Sequence, residues 1–139
     1  MSNSNPTRGQ LERTLGQRLQ ALYRDRIGQR PERVTCQFFD EKVAIVLEQI
    51  VTPLERFFLE SNHQNFAQQI RSEIESTLKA EIIELIEEIA ETTVICLLTD
   101  TKLDCNCSGI IAVLQKIPSV RDPGSIPKLR RERPPEQAE

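Results

Sequence analysis

Apolar residues recur along the chain with two different periods, which separate helical from extended segments. Within residues 8–27 the spacing is three and four, as on one face of a helix, at Leu11, Leu15, Leu19, Leu22, Tyr23 and Ile27. A capping-box pair, Thr7 and Gln10, precedes this stripe, and Gly28 and Pro31 follow it. The pattern predicts a first helix from Arg8 to Ile27.

The next segment has the alternation of a β-strand. Val34, Cys36 and Phe38 are separated by polar residues, which is typical of a half-buried strand. Residues 43–51, VAIVLEQIV, are β-branched and almost continuously apolar, as expected of a strand covered on both faces. With the turn residues Asp40 and Glu41 between them, the two strands are predicted to form a β-hairpin.

Two further helices are predicted after this hairpin. Thr52, Pro53 and Glu55 form a helix start, and the short helix ends near Ser61. The longest apolar stripe then contains Phe66, Ile70, Ile74, Leu78, Ile82, Leu85 and Ile89. A helix over residues 64–90 is roughly 40 Å long at 1.5 Å per residue. We therefore expect part of it to overhang the domain or to meet a second subunit.

The C-terminal part contains a second predicted hairpin and then a tail. TTVICLLTD at 92–100 and SGIIAVLQKI at 108–117 have the composition of strands. From Pro118 onward the chain contains five of its eight prolines and only scattered apolar residues, which indicates disorder. The expected organisation is a flexible N-terminus at 1–7, one domain at 8–117 and a disordered tail at 118–139.

The order α-β-β-α-α-β-β predicts an α+β fold, in which two antiparallel β-hairpins form a small sheet with three helices. Three of the strands are apolar on both faces, and three helices are too few to cover both faces of four strands. We therefore expect a homodimer that buries the remaining face of the sheet.

Composition excludes several classes of function. The net charge is −3, from 18 basic and 21 acidic residues, and aromatic residues make up 4% of the chain. This balance disfavours nucleic acid as a partner. No basic and apolar leader is visible at the N-terminus, and no apolar run has the length of a membrane span. We expect a cytoplasmic protein without a transmembrane segment and with free thiols.

Catalytic motifs are absent from the sequence. The chain has one histidine, and its five glycines form neither a dinucleotide nor a P-loop pattern. No glycine-flanked nucleophile accompanies the histidine. The sequence therefore predicts a protein that is not an enzyme and needs no cofactor.

The segment LDCNCSG contains Cys105 and Cys107 at the tip of the second hairpin. Two thiolates so placed can bind metal, but a structural zinc site requires four ligands, and the remaining cysteines and the histidine lie far along the chain. Three interpretations remain open, namely an incidental hairpin tip, a redox-active pair and a metal-responsive pair. Replacing both cysteines with serine distinguishes the first from the other two.

Three further sets of residues are candidates for contacts with a partner. Core or interface positions on the long helix are Phe66, Ile70 and Ile74. A polar contact surface is expected near its C-terminal end at Glu84, Glu87, Glu88 and Glu91, where like charges repel at i, i+4. A basic tether to an anionic surface is expected at Lys128, Arg130 and Arg131.

Most of the chain, from residue 8 to 116, resembles a family of small bacterial proteins. The similar segments are RGQLERTLGQRLQALYRDRIGQRPERVTCQFFDEKVAIVLEQIVTPLERFFLES, QQIRSEIESTLKAEIIELIEEIAETTV and LLTDTKLDCNCSGIIAVL. They resemble the MpsC-like family, which is named after a sodium-translocating, membrane-potential-generating system. Their amino-acid sequence is similar to that of cyanobacterial members.

Within this resemblance the matching positions are Gly28 to Pro31, Asp40, the Thr52-Pro53-x-Glu55 helix start and Asp100. The second hairpin departs from the family pattern, because cysteines stand where threonine and glycine are usual. The resemblance implies a soluble accessory or regulatory protein near an ion or inorganic-carbon transport system, with a membrane-transport or signalling protein as partner. It supplies no established catalytic residue.

Overall fold

The computed structural model describes residues 4–128 and contains three helices and four strands. They are α1 (Arg8–Ile27), β1 (Arg33–Phe39), β2 (Lys42–Glu48), α2 (Pro53–Glu60), α3 (Gln64–Ala90), β3 (Val94–Lys102) and β4 (Cys107–Leu114). A short 3-10 helix follows at Pro123–Ser125. The order α-β-β-α-α-β-β and the α+β fold class predicted from the sequence are confirmed.

Local capping chemistry sets the helix boundaries. The Thr7 hydroxyl accepts from the Gln10 N–H at 3.1 Å, and the Gln10 side chain accepts from the Thr7 N–H at 2.9 Å. The helix ends at Gly28, whose φ of 81° lies in the left-handed region that glycine adopts without strain. Both ends of α1 therefore lie where the sequence predicted them.

The four strands form one antiparallel sheet in the order β1-β2-β4-β3. Each hairpin supplies one half of the sheet, and the halves join between β2 and β4. The helices cover the inner face, whose buried side chains are Phe38, Val43, Ile45, Leu47, Thr101, Ser108, Ile110, Ala112 and Leu114. The outer face is not covered by any element of residues 4–128.

Strand β2 is shorter than the sequence predicted. It ends at Glu48, because Gln49 has a φ of 60° and turns the chain out of the sheet. Ile50 and Val51 are buried, but their N–H groups bind a side chain of the second hairpin instead of a neighbouring strand. The continuous apolar run therefore contains a strand and a buried linker.

The helices α1 and α3 pack antiparallel over the inner face. Arg18 pairs with Glu88, and Arg26, eight residues later on α1, pairs with Glu81, seven residues earlier on α3. Helix α1 approaches β1 closely at Gly16, where an added Cβ would lie 3.4 Å from the Val34 carbonyl oxygen, in van der Waals contact. The first three turns of α3 extend beyond the end of α1 and contact α2.

Residues 118–128, which belong to the predicted tail, pack against the domain, and the rest of that tail lies outside the described residues. Val120 and Ile126 are buried in the main core. The Asp122 carboxylate accepts from the Arg8 N–H at 2.8 Å, and this hydrogen bond at the start of α1 holds the pKa of Asp122 below its ordinary value. Two apolar side chains and three backbone contacts, including Arg121 N–H to Pro6 O, hold the segment in place.

Candidate functional site

A buried ion pair joins α2 to α3. Arg71 donates from Nε to Glu55 Oε2 at 2.8 Å and from Nη2 to Glu55 Oε1 at 2.6 Å. Both side chains are essentially inaccessible, at 1% and 0% exposure. The Thr52 N–H and hydroxyl also donate to Glu55 Oε1, and Arg71 Nη2 donates to the Ile50 carbonyl. The predicted capping glutamate is thus also the counter-ion of a buried arginine.

The Cys-x-Cys turn is attached to the same region through Asn106. Its Oδ1 accepts from the N–H groups of Ile50 and Val51 at 2.7 and 2.8 Å. Asn106 has a φ of 54°, a left-handed conformation that asparagine adopts more readily than most residues. The residue between the two cysteines therefore connects the second hairpin to the β2–α2 linker, and the linker connects it to Arg71.

A second cluster of polar side chains, those of Glu75, Thr101 and Ser108, connects α3 with β3 and β4. The Thr101 hydroxyl donates to Glu75 and lies 2.6 Å from the Ser108 hydroxyl. Burial raises the pKa of Tyr23 to about 12, with Arg71 opposing and Glu75 reinforcing that shift. The hydroxyl and carboxylate groups satisfy one another, which is typical of polar groups that fix the packing of a core.

The four cysteines are free and occupy different environments. Cys105 is exposed in the turn, and Cys107 is half-buried at the start of β4. Burial raises the pKa of the Cys36 thiol to about 12, with a smaller contribution from Glu12. Within residues 4–128 no three metal-binding side chains of His, Cys, Asp or Glu form a group. The redox and metal interpretations of Cys105 and Cys107 remain predictions.

The predicted acidic surface is divided among several roles. The Glu87 carboxylate accepts from the Val94 N–H at 2.9 Å and so fixes the entry to β3. Glu88 pairs with Arg18, whereas Glu91 ends α3 with a φ of 55° and Glu84 is exposed. Among the predicted basic positions, Lys128 is exposed, and Arg130 and Arg131 lie outside the described residues.

An exposed apolar surface lies where α3 extends beyond α1. We call it the overhang patch, and it consists of Leu54, Phe57, Phe66, Ile70 and Ile74. Leu54, Phe57 and Phe66 are 55, 58 and 47% exposed, whereas Ile70 and Ile74 are half-buried. Phe66, Ile70 and Ile74 line one surface depression. Phe58 links the two helices, since its ring packs edge-on against Phe57 and Phe66.

A second apolar surface lies on the outer face of the sheet. Ala44, Ile111 and Leu98 form one row across β2, β4 and β3. Val46 at 39%, Leu98 at 57% and Ile95 at 63% are the most exposed apolar side chains of the three strands. Polar side chains surround this row, with Gln37 on one edge strand and Asp100 on the other.

Sequence reasoning missed two of the residues that organise this region. Arg71 falls one position after Ile70 on α3, where a charged residue is usually solvated, and no local pattern indicates its burial. Asn106 occupies the spacer position of the Cys-x-Cys pattern, which by itself predicts no contact. The available signals were the capping Glu55, which is a suitable partner for an arginine, and the asparagine in a tight turn.

Comparison with known proteins assigns most of the chain to one family. Residues 7–116 match the family described as the Na+-translocating membrane potential-generating system (MpsC), which confirms the predicted family, whereas the similarity to cyanobacterial members stays a prediction. No curated protein and no solved structure matches the chain. No helix among residues 4–128 has the length and hydropathy needed to cross a membrane.

Proposed function

Because the chain belongs to the MpsC family, we propose that it is a non-catalytic, cytoplasmic accessory protein of a Na+-translocating membrane potential-generating system. In this proposal it acts through protein–protein contacts, as a homodimer that binds another component of the system. The family description supplies the link to Na+ and membrane potential. The two exposed apolar surfaces support the contacts.

The observation that carries the proposal is the composition of the overhang patch. Three of the five phenylalanines of the chain, Phe57, Phe58 and Phe66, are in contact there. Residues 61–70, SNHQNFAQQI, contain no Asp, Glu, Lys or Arg in a chain that is 28% charged. Aromatic enrichment with depletion of charge is characteristic of the centre of a protein interface.

The form of α3 indicates the kind of partner. Its apolar stripe continues from the buried Leu78 and Ile82, which α1 helps to cover, to the exposed Phe66. At Gly28 the chain turns away toward β1, so that α1 leaves the first turns of the stripe open. An apolar helix of the partner, continuing the line of α1, would fit this surface by the same side-chain packing.

The outer face of the sheet supports the homodimer. The apolar row of Ala44, Ile111 and Leu98 extends over three strands, and Val46 and Ile95 enlarge it. Contiguous apolar surface on a folded protein is a common feature of protein interfaces. A symmetric dimer would bring the row of one copy next to the row of the other.

The test is a complementation experiment in a host that depends on its own copy of the protein. We expect deletion to lower the Na+-dependent membrane potential, and the wild-type chain to restore it. The double variant Phe57→Ser/Phe66→Ser should fail to restore it although it is folded and present at wild-type level. Ile117→Ser is the matched control, because Ile117 is an exposed apolar residue outside the patch.

Two results would contradict the proposal. An unchanged Na+-dependent potential in the deletion strain would remove the link to the Na+ system. Full activity of the Phe57→Ser/Phe66→Ser variant would show that the overhang patch is not the contact surface. Circular dichroism and thermal unfolding of both variants establish that a lost function is not a lost fold.

A further inference from the structure

Strand β3 is an edge strand of the sheet that residues 4–128 form, and the middle of this strand is apolar and has unpaired backbone groups on its outer side. Asp100 Oδ1 accepts the Thr101 N–H at 2.9 Å, so this N–H points away from β4. Backbone groups of an antiparallel strand point alternately to its two sides. Leu97 and Thr99 therefore also direct their N–H and C=O groups to the free edge, where no strand of residues 4–128 lies.

We propose that a second copy of this chain pairs with this edge, β3 against β3 in antiparallel orientation, to form one continuous eight-stranded sheet. The two-fold axis passes between the Leu98 residues of the two copies. Leu97 of each copy then exchanges backbone hydrogen bonds with Thr99 of the other. This inference deepens the homodimer of the proposed function and rests on it.

The sequence of β3 makes the strand compatible with itself. Residues 92–99, TTVICLLT, carry no charge, so two copies meet without like-charge repulsion at the centre. With Leu98 opposite Leu98, Asp100 lies opposite Cys96 and Lys102 opposite Val94, and no two like charges are paired. A self-complementary contact of this kind closes as a dimer and does not continue into a fibre.

The pairing also extends the apolar row of the outer face. Ala44, Ile111 and Leu98 are neighbours across the strands of one copy. Directly opposite residues share a face in an antiparallel pair, so Leu98 of one copy would adjoin Leu98 of the other. The row would then run without interruption across both copies.

The space beside β3 is suitable for an added strand. An open cleft lies along Leu97, Leu98 and Thr99, and α3 borders it with Ser72, Glu75, Ser76 and Lys79. The two serines are small and four residues apart, so they face the cleft together and leave room for the second copy's helix. Polar groups on this wall also suit a second polar helix approaching over the joined sheet.

The other edge of the sheet is protected in the way that natural edge strands usually are. Helix α1 packs beside strand β1, where the Glu12 carboxylate accepts the Phe38 N–H at 2.8 Å and Gly16 lies close to the Val34 carbonyl oxygen. A helix that covers an edge strand disfavours pairing of that edge with another chain. Strand β3 lacks this protection over its first six residues, with Ile95 and Leu98 largely exposed.

The test compares two substitutions at one position. Thr99→Pro removes the N–H that the proposed pairing uses, and an outward N–H is the site in an edge strand where proline is tolerated. Thr99→Val keeps the N–H and is the matched control. Measured by native mass spectrometry and light scattering, the wild type and Thr99→Val should be dimers, and Thr99→Pro should be a monomer with native circular dichroism.

Amide hydrogen exchange of the wild type gives a second, independent readout. The Leu97 and Thr99 amides should become protected as the dimer forms with rising concentration, whereas the Leu98 and Asp100 amides, which face β4, should be protected throughout. Rapid exchange of Leu97 and Thr99 in the dimer would overturn edge pairing, even if Thr99→Pro fails to fold.

The outcomes separate this inference from the proposed function. A dimeric Thr99→Pro variant would overturn edge pairing and leave a homodimer formed through another surface. A wild type that is monomeric at all concentrations would overturn the inference and the homodimer together. Neither result changes the complementation test with Phe57 and Phe66, which measures the contact with the Na+ system.

Discussion

Replacing Arg71 with methionine is the most informative perturbation of the core. Methionine keeps the apolar stem of the arginine side chain and removes the guanidinium with its charge. The substitution removes two hydrogen bonds to Glu55, at 2.8 and 2.6 Å, and one to the Ile50 carbonyl at 2.9 Å. The Glu55 carboxylate then stays at 0% exposure with only the Thr52 donors near it.

The magnitude follows from the burial of the pair. Removing one member of a buried ion pair costs about 3–5 kcal/mol, because the other charge remains in a site without compensation. The matched control is Arg18→Met, since Arg18 forms an ion pair with Glu88 in which both side chains are about half-exposed or more. Loss of an exposed pair costs about 0–1 kcal/mol.

The assay is equilibrium unfolding in urea, with the free energy of unfolding extrapolated to water. The decisive comparison adds Glu55→Gln to Arg71→Met, since glutamine still accepts the capping hydrogen bond and leaves no buried charge. We expect the double variant to be more stable than Arg71→Met alone. A double variant whose loss equals the sum of both single losses would refute the reasoning, as would an Arg71→Met loss no larger than that of Arg18→Met.

Three other predictions concern the second hairpin and the half-buried thiol of Cys36. Asn106→Ala should lower the free energy of unfolding by about 2 kcal/mol or more, because the N–H groups of Ile50 and Val51 lose their acceptor. Asn106→Asp keeps the acceptor and should change this free energy little; equal urea midpoints for the two variants would contradict this role of Asn106. Because the pKa of Cys36 is raised from 9.0 to about 12, its contribution to stability is fully present below pH 9 and is lost between pH 9 and 12. Cys36→Ala should therefore flatten the decline of stability in that range, and an unchanged slope would contradict this. The double variant Cys105→Ser/Cys107→Ser should keep the wild-type oligomeric state under oxidising and reducing conditions, as measured by light scattering; a change would favour the redox or metal interpretation.

The helices and the strands could be predicted because their signals are local. Thr7 with Gln10, and Thr52 with Glu55, mark helix starts through contacts three residues apart. The long apolar stripe on α3 extends over seven turns without Gly or Pro. Such patterns depend only on the geometry of one element, and the structure places α1, α2 and α3 at the predicted residues.

The strand order and the buried polar network could not be predicted because they depend on contacts between distant elements. Two hairpins define the pairs β1–β2 and β3–β4, but nothing local indicates that β2 meets β4. Arg71 binds Glu55 sixteen residues away, and Asn106 binds Ile50 across 56 residues. The burial of Val120 and Ile126 could not be predicted either, because both are isolated apolar residues in a proline-rich segment and pack only against the folded core.

The most direct test of the accessory role is photo-crosslinking from a single position in living cells. A photoreactive amino acid replaces Phe66 in the overhang patch, or Ile117 outside it as the control. The account predicts that position 66 crosslinks to a membrane-embedded component of the Na+-translocating system, identified by mass spectrometry, and that position 117 does not. No crosslink from position 66, or the same products from both positions, would contradict a partner contact through this patch.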